Sequence, residues 1–487
     1  MRPGKATQEV IRAGNTVILR IHIINQTVKW TGPKEIVMAF QPTPVKPQPE
    51  GFRKLCGVMY QGGGLRFDNT KTLRISNTTW RGCSYSDFWN QIPPNGDWSW
   101  SQLVFASKGK KLTPEFRKDI EQKAKAFIEK NHWIEKKFGI HSPEKSLVQG
   151  VMHNRHTDIY EAYFNPRLLS KKFPEYEVFA DEWNNDAWRS EKDVDEYNII
   201  TDKNYQDFLL WSVRENLRHG WQVVNFDNSY DINDSDDICG LAEEIAPGRY
   251  RSGTSFFALR ELIKRTAVLL YQEKKMLCGY PALTVHITNS LIPPMHSFAA
   301  ATIDWEMNYG GQDYQDRFPR RFTYPESLGT QTGTIPIVLI QSVNDTPDWV
   351  ARTILATTFG YDLLHYRDGT SKIPPFFVRA INLVRNFGYG DPGVAVYPGW
   401  HEDNPVKLSG ADALATTVIG KDQKSALILI GGFGPAGILK LDVSRLGMRK
   451  PSAINAETGK PVGSGQLLGV ALPKKEYKIL LIRESNQ

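Results

Sequence analysis

The apolar run "WQVVNF" ends on Asp227, and four other runs in the chain end in a similar way. "EYEVFADEW" reaches Asp181 and Glu182, "LTVHITN" reaches His286 and Asn289, and "ATIDWE" carries Asp304 and Glu306. "SLVQGVMHNR" stops at His153, Asn154 and Arg155. Two carboxyl groups flanking a sugar are what glycosidic bond cleavage requires: one protonates the departing oxygen, the other supports or attacks the anomeric carbon. Trp183, Trp305, Tyr309 and Trp400 stand near these groups, and flat rings stack on the apolar faces of sugars. His153, Arg155, His286 and Asn289 are suited to bonding hydroxyls. Each position also has a plainer reading. Asp181 or Asp227 caps a turn or helix after a strand, and Asp304 or Glu306 pairs with an arginine such as Arg317. Strand alternation places Asp304 and Glu306 on one face. His153 and His156 form an H-x-x-H without clear further ligands, so no metal is expected.

Eight runs have the length and texture of buried strands: Glu35–Gln41, Trp100–Phe105, Ser146–Met152, Tyr176–Asp181, Val223–Asp227, Leu283–Thr288, Ala300–Glu306 and Ile335–Ile340. Amphipathic helices separate several of them. "NYQDFLLWSVRENLRHG" puts Tyr205, Phe208, Leu209, Val213 and Leu217 on one stripe and stops at Gly220. "SFFALRELIKRTAVLLYQEKKM" repeats the pattern with Phe256, Leu259, Leu262, Ile263 and Leu270, and "DWVARTILATTFG" is a third helix. Alternation of this kind predicts an α/β protein, an irregular (β/α)8 TIM barrel over 34–404. Residues 1–33 read as a short N-terminal β segment, on the alternating "NTVILRIHIINQTVKWT". After about 405 the helical stripes vanish and short strands follow one another, so 405–487 is expected to be an all-β sandwich domain. In a barrel the strand ends are where catalytic groups gather.

At 487 residues, the chain is large enough for a barrel and a smaller domain. The net charge of +7 is spread along it, and its densest basic cluster, "SKGKKLTPEFRKDIEQKAKAFIEK", is interleaved with acids as on a solvated helix. No arginine-rich tail or nucleic-acid module is present, so no nucleic acid partner is expected. No run of about 18 apolar residues occurs, so no membrane span is expected. The four cysteines lack CxxC spacing and read as buried or free thiols. The chain reads as soluble: periplasmic or extracellular if a signal peptide has been removed, otherwise cytoplasmic. Gly432-Phe-Gly-Pro-Ala-Gly437 spells GxGxxG, but Pro435 sits inside it and strand-like "ILKLDV" follows, so it is read as a turn and not a dinucleotide site. The chain has neither a P-loop nor a G-x-S-x-G elbow, and no cofactor is implied.

The stretches "EIVMAFQPTPVKP", "NYQDFLLWSVRENLRHGWQVVNFDN", "TVHITNSLIPPMHSFAAATIDWEMNYGGQDYQDRF" and "ILKLDVSRLGMRKPSAINAETGKPV" resemble bacterial glycoside hydrolases of the family 123 catalytic-domain type. The resemblance implies a (β/α)8 barrel with a C-terminal β-sandwich, acting on terminal N-acetylhexosamines through an adjacent Asp-Glu pair. In this chain that pair is Asp181-Glu182, with Asp181 orienting the acetamide and Glu182 as acid/base. "VVNFDN" also resembles the nucleophile strand of retaining α-galactosidase-type barrels, which implies Asp227 as nucleophile and Asp304 or Glu306 as acid/base. The expected protein is a glycosidase removing a non-reducing terminal sugar, an N-acetylhexosamine or galactose-type residue, from an oligosaccharide or glycan substrate in polysaccharide degradation. A non-catalytic carbohydrate-binding barrel is the alternative, and a lyase using Tyr163, His153 and Arg155 is a third reading. Sugar, anomer, stereochemical course and oligomeric state are left open.

Overall fold

In a computed structural model of the chain, the described residues are 8–24, 27, 29, 40–59, 73–77, 99–130, 144–145, 148, 151–152, 157–170, 174–183, 196–198, 203–230, 233–234, 243–251, 253–306, 313–340, 347–368 and 374–485. The chain divides into two compact units, Met1–Pro42 and Thr43–Gln487. Within the first, Gln8–Ala13 pairs antiparallel with Thr16–Ile21 around a turn at Gly14, whose φ of 62° suits glycine.

The second unit is built on eight parallel strands that close into a barrel. In chain order they are β1 (Leu55–Met59), β2 (Leu73–Asn77), β3 (Ile159–Phe164), β4 (Val223–Phe226), β5 (Leu283–His286), β6 (Ala301–Asp304), β7 (Ile335–Ile340) and β8 (Leu364–Asp368). Each pairs with its neighbours in chain order, and β8 returns to β1. Strands β4 to β7 are buried at every position because helices cover the outside and side chains fill the inside.

Four of the eight expected runs become β4 to β7, and three of the others are helical in their described residues. Trp100–Phe105 lies in helix α1 (Ser99–Ala106). The residues described near Ser146–Met152 (144–145, 148, 151–152) are helical. Tyr176–Asp181 lies in a helix, Pro174–Trp183, whose first position is a proline with φ already set for helix. Residues 35–39 lie outside the described residues, and Phe40 and Gln41 are not in a strand. The strands used instead are β1, β2, β3 and β8, of which β2, β3 and β8 carry Arg74, Glu161, His365 and Arg367 inside their runs. Polar residues within a strand disguise it as a loop, although Glu161 is bonded to Thr284 of β5 and His365 to Thr358 in the helix that precedes β8.

The helices fall where their stripes predict. The basic cluster includes α2 (Pro114–Lys130), laced by Arg117–Glu121 and Lys123–Asp119 ion pairs one turn apart. Taking Pro174–Trp183 as α3, the next helices are α4 (Lys203–Arg218) and α5 (Phe256–Gln272), which bury Tyr205, Leu209, Val213, Leu217, Leu259, Leu262, Ile263 and Leu270 against the barrel.

The barrel is sealed at the strand starts. Lys46 donates from Nζ to the Ala299 carbonyl just before β6 (2.7 Å), and burial lowers its pKa to about 8. Arg53, two residues before β1, pairs with Asp362, two before β8, at 2.6 Å. Arg385 donates to the Arg53 and Leu55 carbonyls at the same seam.

Beyond the barrel, short helices α6 (Pro293–His296), α7 (Tyr314–Arg317) and α8 (Arg320–Glu326) follow β5 and β6, while α9 (Asp348–Tyr361) and α10 (Pro375–Phe387) flank β8. The rest is antiparallel. Strands β9 (Ala395–Tyr397), β10 (Lys407–Ser409), β11 (Ala413–Ile419), β12 (Ser425–Gly432), β13 (Gly437–Asp442), β14 (Pro451–Asn455), β15 (Pro461–Ser464), β16 (Leu467–Leu472) and β17 (Tyr477–Glu484) form two sheets. Their orders are β9-β11-β12-β17-β14-β15 and β10-β13-β16. Ile428, Ile430 and Ile482 from the first share one core with Leu439, Leu441 and Val470 from the second. Helix α9 packs so closely on β12 that a Cβ at Gly431 would stand 1.8 Å from the Ala356 carbonyl. The GxGxxG letters span the end of β12 and the start of β13, with no helix after them.

Candidate active site

Alternate residues of β3 to β6 carry a ladder of polar side chains. Glu161, Asn225 and Thr284 form a lower rung: Asn225 Nδ2 donates to Thr284 Oγ1 (2.8 Å), and Thr284 Oγ1 donates to Glu161 Oε1 (2.5 Å). All three are buried. Two residues further along come Tyr163, Asp227 and His286, so period-two alternation places them one rung higher, at the strand ends.

Asp227 is the hub of this upper rung. Its Oδ1 contacts His286 Nδ1 at 2.7 Å and accepts the Asn228 backbone N–H at 2.8 Å. Its Oδ2 accepts from the Tyr163 hydroxyl and, at 3.3 Å, from Asn228 Nδ2. His286 Nε2 lies 3.6 Å from Glu306 Oε2. One imidazole thus stands between two carboxylates whose facing oxygens are no more than about 9 Å apart, within the span over which paired glycosidase carboxylates work. Both carboxylate side chains are 14% exposed, so they are sheltered but reachable.

Burial opposes charge on His286, but Asp227, Glu306 and Asp304 overcome it and raise the imidazole to about 9. Burial likewise opposes charge on Asp227, but His286, the Tyr163 hydroxyl and the Asn228 N–H hold it below the usual aspartate value. Asp304 moves the other way. Burial raises it, against hydrogen bonds that include one from Ser327 Oγ to Oδ2 (2.7 Å). The environments therefore separate an ionised Asp227 from an Asp304 that retains its proton more readily.

The backbone marks the same place. Asn228, Thr288, Asn289 and Trp305 adopt φ of 48°, 48°, 61° and 69°, each within three residues of the end of β4, β5 or β6. Left-handed backbone is costly for such residues and gathers where a site has to be held in shape.

Of the expected site residues, Asp227, His286, Asp304 and Glu306 come together here, with Asn289 donating from Nδ2 to the Glu306 carbonyl (2.8 Å). Asp181, Glu182 and Trp183 close helix α3, not a strand. Asp181 is exposed, Glu182 accepts from Asn204, and Trp183 is 2% exposed, stacked on Phe179 in the core. The expected sugar platform also departs from expectation. Trp305 is fully buried, stacked on Phe318 and donating to Ser327 Oγ (3.0 Å). Trp400 donates to the carbonyl of Tyr361, where α9 leads into the start of β8, so it belongs to the strand-start side. A tryptophan in an acidic, loop-like context resembles a sugar platform in sequence, but here packing claims the ring. His153, Arg155 and Tyr309 lie outside the described residues.

Tyr163 entered the sequence reading only as a lyase base, whereas here it donates to Asp227. Asn228, Ser327 and Glu161 were not singled out. "IYEAYF", with a glutamate inside an apolar run, is the signal that could have found Glu161 and Tyr163. Among the described residues, no group of three His, Cys, Asp or Glu could hold a metal, and no helix is long and apolar enough to cross a membrane.

No protein-family model matches the chain, and no curated protein aligns with it significantly. In structure it is similar to a family 27 β-L-arabinopyranosidase from Geobacillus stearothermophilus, at 10% identity and a TM-score of 0.48 over 89% of this chain and 98% of that one. It is also similar to a family 36 α-galactosidase of the same organism (14%, TM-score 0.40, 70% and 46%) and to an Anoxybacillus α-amylase (9%, TM-score 0.44, 72% and 81%). All three are glycoside hydrolases. At TM-scores below 0.5, these likenesses carry no conclusion about the chemistry of this chain, which rests on its own side chains.

Proposed function

We propose that the protein is a glycoside hydrolase whose working carboxylates are Asp227 and Glu306, at the ends of the fourth and sixth strands of an irregular (β/α)8 barrel. The carrying observation is the sheltered Asp227–His286–Glu306 bridge. In this reading Asp227, kept ionised by His286 and Tyr163, meets the anomeric carbon as positive charge develops there, and Glu306 protonates the departing oxygen. Asp304 and Ser327 hold the backbone between them in place. The substrate is a terminal sugar of a glycan. The proposed organisation is an N-terminal β segment (1–33), a catalytic barrel (34–404) and a β-sandwich (405–487).

This reading places the acid/base work at Glu306 and not at Glu182. On a panel of nitrophenyl glycosides, Asp227→Asn and Glu306→Gln should each lose roughly 10²–10⁴ in kcat, while Glu182→Gln stays close to wild type. Full activity in both of the first two variants refutes the assignment. One observation favours the non-catalytic sugar-binding alternative: Asp227 already accepts from four donors, as a purely structural carboxylate would. Under that alternative, wild type cleaves nothing on the panel yet still binds sugar.

A further inference from the structure

Arg167 is left over by the chemistry just described. It follows the end of β3 by three residues, in the turn Asn165-Pro166-Arg167, with its N–H bonded to Asn165 Oδ1 at 3.2 Å. The Phe164 carbonyl of the same strand end accepts the Asp227 backbone N–H (2.8 Å), so Arg167 emerges beside the proposed site. Its residue exposure is 6%. A guanidinium so buried ordinarily faces a carboxylate, because removing a cation from water costs several kcal/mol unless it is paired. Arg53, the buried arginine at the barrel seam, has Asp362. Among the described residues, no carboxylate stands within ion-pair distance of Arg167. Nη1 reaches the Asn228 carbonyl at 3.3 Å, and the guanidinium lies over the Tyr230 ring at 4.4 Å. Those contacts offset part of the burial, with a cation–π contact contributing about 1 kcal/mol. Nε has no hydrogen-bond partner. The unpartnered edge is therefore the one formed by the buried Nε and by Nη2, two parallel N–H donors whose spacing matches the two oxygens of a carboxylate.

We infer that Arg167 is a specificity residue that takes the carboxylate of an acidic sugar, so the sugar cleaved at Asp227 and Glu306 is a uronic acid residue. The inference rests on the glycosidase reading for its chemistry, but on Arg167 alone for the charge of the ligand. It also answers an electrostatic problem. The ionised Asp227 repels an anionic sugar, and a buried cation on its side of the site, added to the His286 imidazolium, offsets that repulsion.

The test uses the full chain with paired nitrophenyl substrates, glucuronide against glucoside and galacturonide against galactoside. Free glucuronate, galacturonate and their neutral counterparts are titrated calorimetrically in parallel. Wild type should favour a uronide over its neutral partner by about 100-fold in kcat/KM, and Arg167→Gln should collapse that ratio by a similar factor. Arg167→Lys keeps the charge without the fork and should recover only part of it, which covers the case in which Arg167→Gln fails to fold. Equal or better cleavage of the neutral partners by wild type overturns the inference, as does a ratio unchanged in both variants. If wild type cleaves nothing, the glycosidase reading has failed. The calorimetry then decides: uronate binding that weakens at least tenfold in the variants sustains the acidic-sugar site, and absence of uronate binding to wild type rejects it. Galactose 6-sulfate is titrated in the same way, and its binding without that of either uronate also rejects the carboxylate assignment.

Discussion

His286 shows how one side chain can set the charge of its neighbours. Because Asp227 titrates below its usual value of 3.8, its stabilising contribution is present above about pH 4 and is lost as pH falls further. Because His286 is raised from 6.5 to about 9, its contribution is complete below about pH 6.5 and disappears as pH rises through 9. The urea midpoint of the wild type should therefore decline between about pH 6.5 and 8, above which Lys46, lowered to about 8, begins to oppose the loss. Below about pH 6.5 the buried neutral His296 and His365, lowered to about 4 and about 3, make the midpoint fall as pH drops. In Asp227→Asn the strongest upward pull on His286 is gone, so the decline should be smaller and end at lower pH. Coincident midpoint-against-pH curves for the two proteins would contradict this account. At this scale the sequence was informative where a polar residue ends an apolar run, as at Asp227, His286 and Asp304. It misled at Asp181 and Glu182, because a run of "EYEVFA" fits a helix stripe as readily as a strand. It was silent on Arg167, whose meaning lies in a partner that is missing.

Among the elements, the segment after β6 matters most to the site. Trp305, between Asp304 and Glu306, packs on Tyr314 and Phe318, which belong to α7 and its end. That short helix is fastened to the C-terminal sheets: Gln315 Nε2 donates to the Gly432 carbonyl (2.7 Å), and Lys475 bonds Asp313 and Asp316 at 3.0 and 2.6 Å. The β region thus braces a strand end of the barrel. Gln315→Met leaves the buried Gly432 carbonyl without that donor and should cost about 1–3 kcal/mol in unfolding free energy. Turnover should fall as well, because the support under Trp305 loosens. Unaltered kcat in a folded Gln315→Met protein would show that the brace is structural only. The contacts to Gly432 and Lys475 could not be read from the sequence, since they join residues more than 100 positions apart, whereas α4, α5 and α9 announced themselves through local periodicity.

For the molecule as a whole, barrel closure depends on joining its first and last strands. Arg53 and Asp362 do this at the seam, with Asp362 almost fully buried and Arg53 largely so. Removing one partner strands the other charge, so Arg53→Ala should destabilise the fold by roughly 3–5 kcal/mol, seen as a lower urea midpoint. A change below 1 kcal/mol would mean that water reaches Asp362 and that the seam is held by the backbone ladder alone. The alternation of strands and helices followed by strands only was legible from composition and period. The identity of half the strands was not, because residues such as Glu161 and His365 break the apolar runs by which strands are recognised.

The four left-handed residues at the ends of β4, β5 and β6 have a consequence for how this protein would respond to evolution in the laboratory. Thr288, β-branched and at φ 48°, is the most crowded of them. Thr288→Gly should raise unfolding free energy by about 1 kcal/mol, measurable as a higher melting temperature, and lower turnover by letting the strand end wander. A library screened for heat tolerance alone would thus collect glycine at 288 and return proteins that survive heating better and work worse, whereas Trp305, buried against Tyr314 and Phe318, would be kept because its loss opens a cavity.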